Sequence, residues 1–109
     1  MTDKIVALST CSSAEEAEKV ARRLVEKRLA ACVNLLPGVR SFFRWNGVVE
    51  DSPEHLLVIK TSRQRFPRLR AELEKVHSYE VPELIALPVV EGAPNYLNWL
   101  EEVLAPESE

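Results

Sequence analysis

His77 opens the run Ser78-Tyr79-Glu80-Val81-Pro82-Glu83, so that His77, Glu80 and Glu83 recur every three residues. An imidazole nitrogen beside carboxylate oxygens is a mixed donor set suited to a divalent ion. The same residues fit a plainer role, in which His77 caps a helix C-terminus and Glu80 and Glu83 pair with arginines. Spacing leaves both open, because only tight ligand spacings are diagnostic. Cys11 is a second candidate. It ends a strand just ahead of a helix N-terminus, where the dipole lowers a thiol's pKa and favours the thiolate. The alternative is a small buried residue. Cys32, within Ala30-Ala31-Cys32-Val33, reads as core, and His55 as an exposed edge residue. Arg63, Arg65, Arg68 and Arg70 read as a solvated helix face or as a patch for an anion or partner. No nucleophile, base and orienter assemble: Ser9, Ser41 and Ser62 have no histidine close in sequence. The residues therefore point to a binding or structural protein rather than an enzyme, with no organic cofactor.

The elements that must hold these groups fit one domain, residues 1–109, since a chain of 109 residues has room for one core only. Lys4 to Thr10 reads as a strand, and its unbroken Ile5-Val6-Ala7-Leu8 asks for cover on both faces. Ser13 with Glu16 fits a capping box, and Ala17, Val20, Ala21, Leu24 and Val25 make the apolar stripe of the helix it opens. Cys32 to Leu36 and Val39 to Trp45 are extended, and Asn46-Gly47 is a strong signal for a type I′ hairpin turn. The return strand starts at Val48-Val49, is expected to break near Asp51-Ser52-Pro53, and resumes from His55 to Thr61. A second helix spans about Arg65 to Val76, with Pro67 in its first turn. Glu83 to Val90 is the last strand, and Tyr96, Leu97, Trp99, Leu100 and Val103 form a closing helix. The tail from Pro106 to Glu109 reads as loose. The order is β-α-β-β-α-β plus a terminal helix: an α+β, ferredoxin-like fold.

Composition and motif exclude several uses of that fold. Lys plus Arg is 14 against 17 for Asp plus Glu, a net charge of −3 that argues against general nucleic-acid binding. No apolar run is long enough to cross a bilayer, and the N-terminus lacks the pattern of a signal peptide, so no membrane and a cytosolic setting are expected. The third strand carries no aromatic residue to stack a base. Cys11-Ser12-Ser13-Ala14 holds one thiol where a soft-metal chaperone needs two. Glu15 and Glu16 would repel a phosphate from the first loop, and Gly38, Gly47 and Gly92 are isolated.

The domain does not read as solitary. Helices cover one sheet face only, yet Val6 and Ala7, Leu57 and Val58, and Leu84 and Ile85 are apolar neighbours. The long hairpin also carries Phe42, Phe43, Trp45, Val48 and Val49 beyond the reach of the outer strands. Such an overhang aggregates unless another subunit pairs with it. A homo-oligomer closed into a ring is expected.

The residue blocks resemble those of the CutA divalent-cation-tolerance family over nearly the whole chain. They are Glu26-Lys27-Arg28-Leu29-Ala30-Ala31-Cys32-Val33-Asn34, Pro37-Gly38, Phe43-Arg44-Trp45-Asn46-Gly47, Leu57-Val58-Ile59-Lys60-Thr61, His77 through Glu83, and Tyr96-Leu97-Asn98-Trp99-Leu100. The resemblance implies a cytoplasmic homotrimer, architecturally similar to PII signalling proteins, with a role in the response to metal ions and with copper or other divalent cations as ligands. Phe42, Phe43, Trp45 and Val48 then belong to the trimer interface. His77 and Glu83 match the positions where the family places metal, with Glu80 as a helper. This chain has Ser78 where the family usually has proline. The family's occasional cysteine at the end of the first strand aligns with Ser9, two residues short of Cys11. A PII-like alternative would bind a small metabolite or anion in intersubunit clefts, with Arg44 and Arg63 as contacts.

Overall fold

The computed structural model describes residues 2–106, and the tail reading for 107–109 lies outside them. Chain order is β1 (Lys4–Cys11), α1 (Ala14–Glu26), β2 (Cys32–Trp45), β3 (Val48–Ser62), α2 (Phe66–Val76), β4 (Ile85–Pro88) and α3 (Pro94–Leu104). The strands form one sheet in the order β2-β3-β1-β4, and every neighbouring pair is antiparallel. This is the ferredoxin-like βαββαβ arrangement with an added C-terminal helix.

Strand alternation assigns the two faces. Ala7 and Cys11 of β1 and Leu57 and Ile59 of β3 are buried beneath Ala17, Val20 and Leu24 of α1 and Leu69 and Leu73 of α2. The other face stays open. Val6 pairs with Leu87, and Leu8 pairs with both Ile85 and Val58. Ile85 and Leu87 are 53% and 51% exposed, which is a high cost for apolar strand residues left in water.

Local chemistry explains the ends of each element. The Ser13 hydroxyl accepts from the Glu16 amide at 3.1 Å and caps α1. Asn46 and Gly47 take positive φ values of 50° and 79°, as the type I′ turn requires. Beyond the Cys11–His55 pair β1 stops, so from Val48 to Glu54 strand β3 has β2 as its only neighbour among the described residues. The hairpin therefore overhangs, and the molecule measures 48 Å along its longest axis against 22 Å along its shortest.

Three expectations are corrected. β3 runs without a break through Asp51-Ser52-Pro53, with Pro53 opposite Arg40. Proline is tolerated there because that stretch is an edge, where no further strand needs its amide. The irregularity falls instead on β2, where Pro37-Gly38 is inserted between Leu36 and Val39 and Gly38 has φ of 78°. The last strand is Ile85–Pro88, shorter than the expected Glu83 to Val90. At its start the Ser9 hydroxyl takes the Glu83 carbonyl at 2.7 Å. Cys32 is not core. It is half-buried beside Asn34, opposite Lys60, on the open face.

Candidate functional site

Four elements meet at the far end of β1. β1 brings the Thr10 carbonyl and Cys11, the first turn of α1 brings Glu16, the end of α2 brings His77, and β3 brings Glu54 and His55. His77 is the C-cap of α2: its amide donates to the Leu73 carbonyl and its backbone is extended. Its side chain turns away from the helix end. Nε2 lies 2.7 Å from the Thr10 carbonyl and 3.6 Å from Cys11 Sγ, and Nδ1 accepts from the Tyr79 amide at 3.1 Å. A carbonyl only accepts, so the ring proton sits on Nε2 and donates to Thr10. With 8% of its surface exposed, His77 is an interior group.

Glu16 reaches the same place from α1. One carboxylate oxygen accepts from the Ser78 amide at 2.7 Å, and the other, Oε1, is buried with no partner. Burial pushes its pKa up, but the Ser78 bond and the nearby His77 outweigh that and hold it below the usual carboxylate range. Cys11 is fully buried, and burial first, then the charges of Glu16 and Glu54, push its thiol up to about 12. The expected thiolate-favouring effect of the helix N-terminus is overturned, because desolvation and two carboxylates outweigh the dipole.

Glu54 is 7% exposed and accepts from the Tyr79 hydroxyl at 2.7 Å. Burial, then that carboxylate, pushes the Tyr79 hydroxyl up to about 12. Among the described residues, neither Glu16 nor Glu54 has a lysine or arginine within ion-pair distance. Glu54 is buried and Glu16 half-buried, and a carboxylate taken out of water without a counter-charge is costly. His55 is half-buried with an unpartnered Nδ1, not the exposed edge residue expected of it.

The donors that gather here differ from those the spacing suggested. Cys11, Glu16 and His77 place one potential ligand atom each within 4.8 Å of one another, and no other such group occurs among the described residues. Glu80 and Glu83 are exposed and do not join His77 in a three-ligand group. They line a cleft of about 740 Å3 that adjoins this site through Thr10, Glu54 and Tyr79 and extends to Glu50, Phe43 and Trp45 on the overhanging hairpin. Glu16 was missed as a donor because the capping box accounted for it. Its side chain serves Ser78 across 62 positions, a partner that no local pattern reveals. Arg44 donates to the Gly47 carbonyl at the hairpin tip, while Arg63 follows β3 at its opposite end. Roughly 45 Å of strand separates them, so they share no cleft within one chain.

The model of the family described as CutA1 divalent ion tolerance protein matches residues 5–103. The divalent-cation tolerance protein CutA of Thermus thermophilus is 48% identical over 97 residues, which cover 89% of this chain and 94% of that one. Human protein CutA is 46% identical over 97 residues, 89% of this chain but 54% of the human protein, so the chain spans about half of that relative. The crystal structure of CutA from Xylella fastidiosa superposes with a TM-score of 0.93 at 39% identity, covering 95% of this chain and 100% of that one.

Proposed function

The chain belongs to the CutA1 divalent ion tolerance protein family, and on that footing we propose that it is a cytoplasmic, non-enzymatic homotrimer that binds copper or another divalent cation in the response to metal ions. The observation that carries the metal reading is the concentration of donor atoms around His77, beside a half-buried Glu16 and a buried Glu54 that no lysine or arginine pairs with among the described residues. A divalent ion supplies the missing charge. His77 is the ligand common to the sets the chain can offer, whether with Glu83 and Glu80 as the family resemblance implies or with its neighbours across the core. Both cysteines are free, in keeping with a reducing compartment.

The trimer reading rests on the open sheet face and the hairpin. Phe42, Phe43, Trp45 and Val48 are 63%, 41%, 48% and 57% exposed, and a neighbouring subunit would remove that area from water. Light scattering on the purified protein tests assembly. Calorimetric titration with Cu(II), Zn(II) and a panel of small anions and metabolites tests the ligand class. We expect a trimer that binds a metal ion and loses it in His77→Ala with the assembly intact. Heat with an anion and none with either metal would refute the metal reading.

A further inference from the structure

We propose that the ion is held by Cys11 Sγ, a Glu16 carboxylate oxygen and His77 Nε2, and that it is a borderline divalent cation of the zinc class. The inference rests on the metal reading above and names its ligands. Three observations carry it. The three side chains come from β1, α1 and the end of α2, yet their donor atoms already lie within 4.8 Å of one another. Glu16 Oε1 is buried without a hydrogen-bond partner, while Oε2 is fixed by the Ser78 amide, so the carboxylate is positioned and one oxygen is unused. The surrounding charge is negative, with Glu54 close enough to act on Cys11 and no cationic side chain paired to either carboxylate among the described residues.

The donor types select the metal. A sulfur, an imidazole nitrogen and one carboxylate oxygen disfavour magnesium and calcium, which ask for oxygen alone. They suit zinc, which takes three protein ligands and leaves a fourth position to water. Coordination needs a lone pair from each donor. The Cys11 thiol proton leaves to solvent as the metal–sulfur bond forms. The imidazole proton passes from Nε2 to Nδ1, so the ring keeps its charge and the bonds to Thr10 and from Tyr79 are exchanged for the metal bond. One proton is released per ion and nothing is oxidised or reduced. Glu16 is at the rim, half exposed beside the exposed Ser78, and supplies the route in.

The test is a Co(II) titration of the purified wild-type protein, read by absorption and followed by competition with Zn(II). A cobalt–thiolate charge-transfer band should rise and be displaced by zinc. Cys11→Ser should abolish the band. Glu16→Gln should weaken Zn(II) by at least the roughly 10–100-fold that even an outer-shell change costs. The Ser13 cap uses the Glu16 amide and not its side chain. Glu16→Gln therefore keeps the helix start, and it carries the test if Cys11→Ser fails to fold. Zinc binding without a cobalt–thiolate band, an unaffected Glu16→Gln, or loss on Glu83→Gln in its place would overturn this ligand set and leave the metal reading standing. Failure of the wild type to bind Co(II), Zn(II) or Cu(II) would overturn both.

Discussion

Replacing Trp45 by alanine measures whether the overhanging hairpin is an assembly surface. Trp45 sits opposite Val48 at the hairpin tip and is 48% exposed in the single chain. A tryptophan presents on the order of 200 Å2, so roughly 100 Å2 is still in water and available to a neighbour. At about 25 cal/mol per Å2 that area contributes about 2.5 kcal/mol per subunit to association. Three copies then contribute about 7–8 kcal/mol, on the order of five decades in the trimer's dissociation constant. The half already covered within the chain affects the subunit's own folding and leaves the association constant alone. Sedimentation equilibrium across a dilution series separates the two effects. Trp45→Ala should dissociate at concentrations where the wild type stays trimeric, and its melting temperature should become strongly concentration-dependent. A variant that stays trimeric at every dilution would place Trp45 outside the interface. A monomeric wild type would sink the trimer itself.

Three further outcomes concern the end of β1. In native protein without added metal, thiol reagents should leave Cys11 unmodified until denaturant is added, read by mass spectrometry; ready labelling would contradict its burial. The Cys11 thiol is raised from 9.0 to about 12, so the folded state keeps a proton that the unfolded state releases. Stability from this group is complete below pH 9 and should drain away between about 9 and 12, visible as a falling melting temperature. Ser78→Pro removes the amide that holds Glu16, while the extended backbone of His77 already suits a following proline. It should cost roughly 1–2 kcal/mol, given the half-exposed site. Glu16 is lowered, so its contribution is present above the carboxylate range and lost on acidification. The variant should therefore flatten the acid limb of the melting profile, and an unchanged limb would show that the Ser78 bond carries nothing.

What the residues revealed depended on how local the physics was. Asn46-Gly47 announced its turn because both positions need positive φ and both residues tolerate it. Ser13 announced the start of α1 for an equally local reason. The capping box misled in its second half, since Glu16 spends its carboxylate on Ser78 and not on the helix that bears it. Pro53 and Ser9 show the same limit in strands. A proline is read as a break unless the strand is known to be an edge there, and a serine gives no hint that its hydroxyl will take a carbonyl 74 positions away. The Cys11–His77 contact spans 66 positions. Topology was the one signal that could have found it: in a βαββαβ fold the end of β1 and the end of α2 come to the same edge of the sheet. Counting every third residue after His77 looks along the chain, whereas Cys11 and Glu16 approach His77 from across the fold.

Tyr79 joins the two regions to which metal binding and assembly are proposed. Its amide holds His77 Nδ1 on the helix side of the sheet, and its hydroxyl holds Glu54. Alternation along β3 puts Glu54 on the open face, because Leu57 and Ile59 face the helices. Glu54 and Tyr79 also line the cleft against Phe43 and Trp45. A subunit docking on that face would therefore press on one end of Tyr79, while an ion entering at Cys11 and Glu16 must break the bond at the other. The rings of His77 and Tyr79 are in contact, with centroids 4.8 Å apart, so neither can turn without the other adjusting. The proposed metal loading and the proposed assembly would then share a single residue whose two hydrogen bonds face opposite sides of the sheet. Binding on either side would act on the same Tyr79 position, and by linkage any change that one makes in the affinity of the other is returned by the same factor.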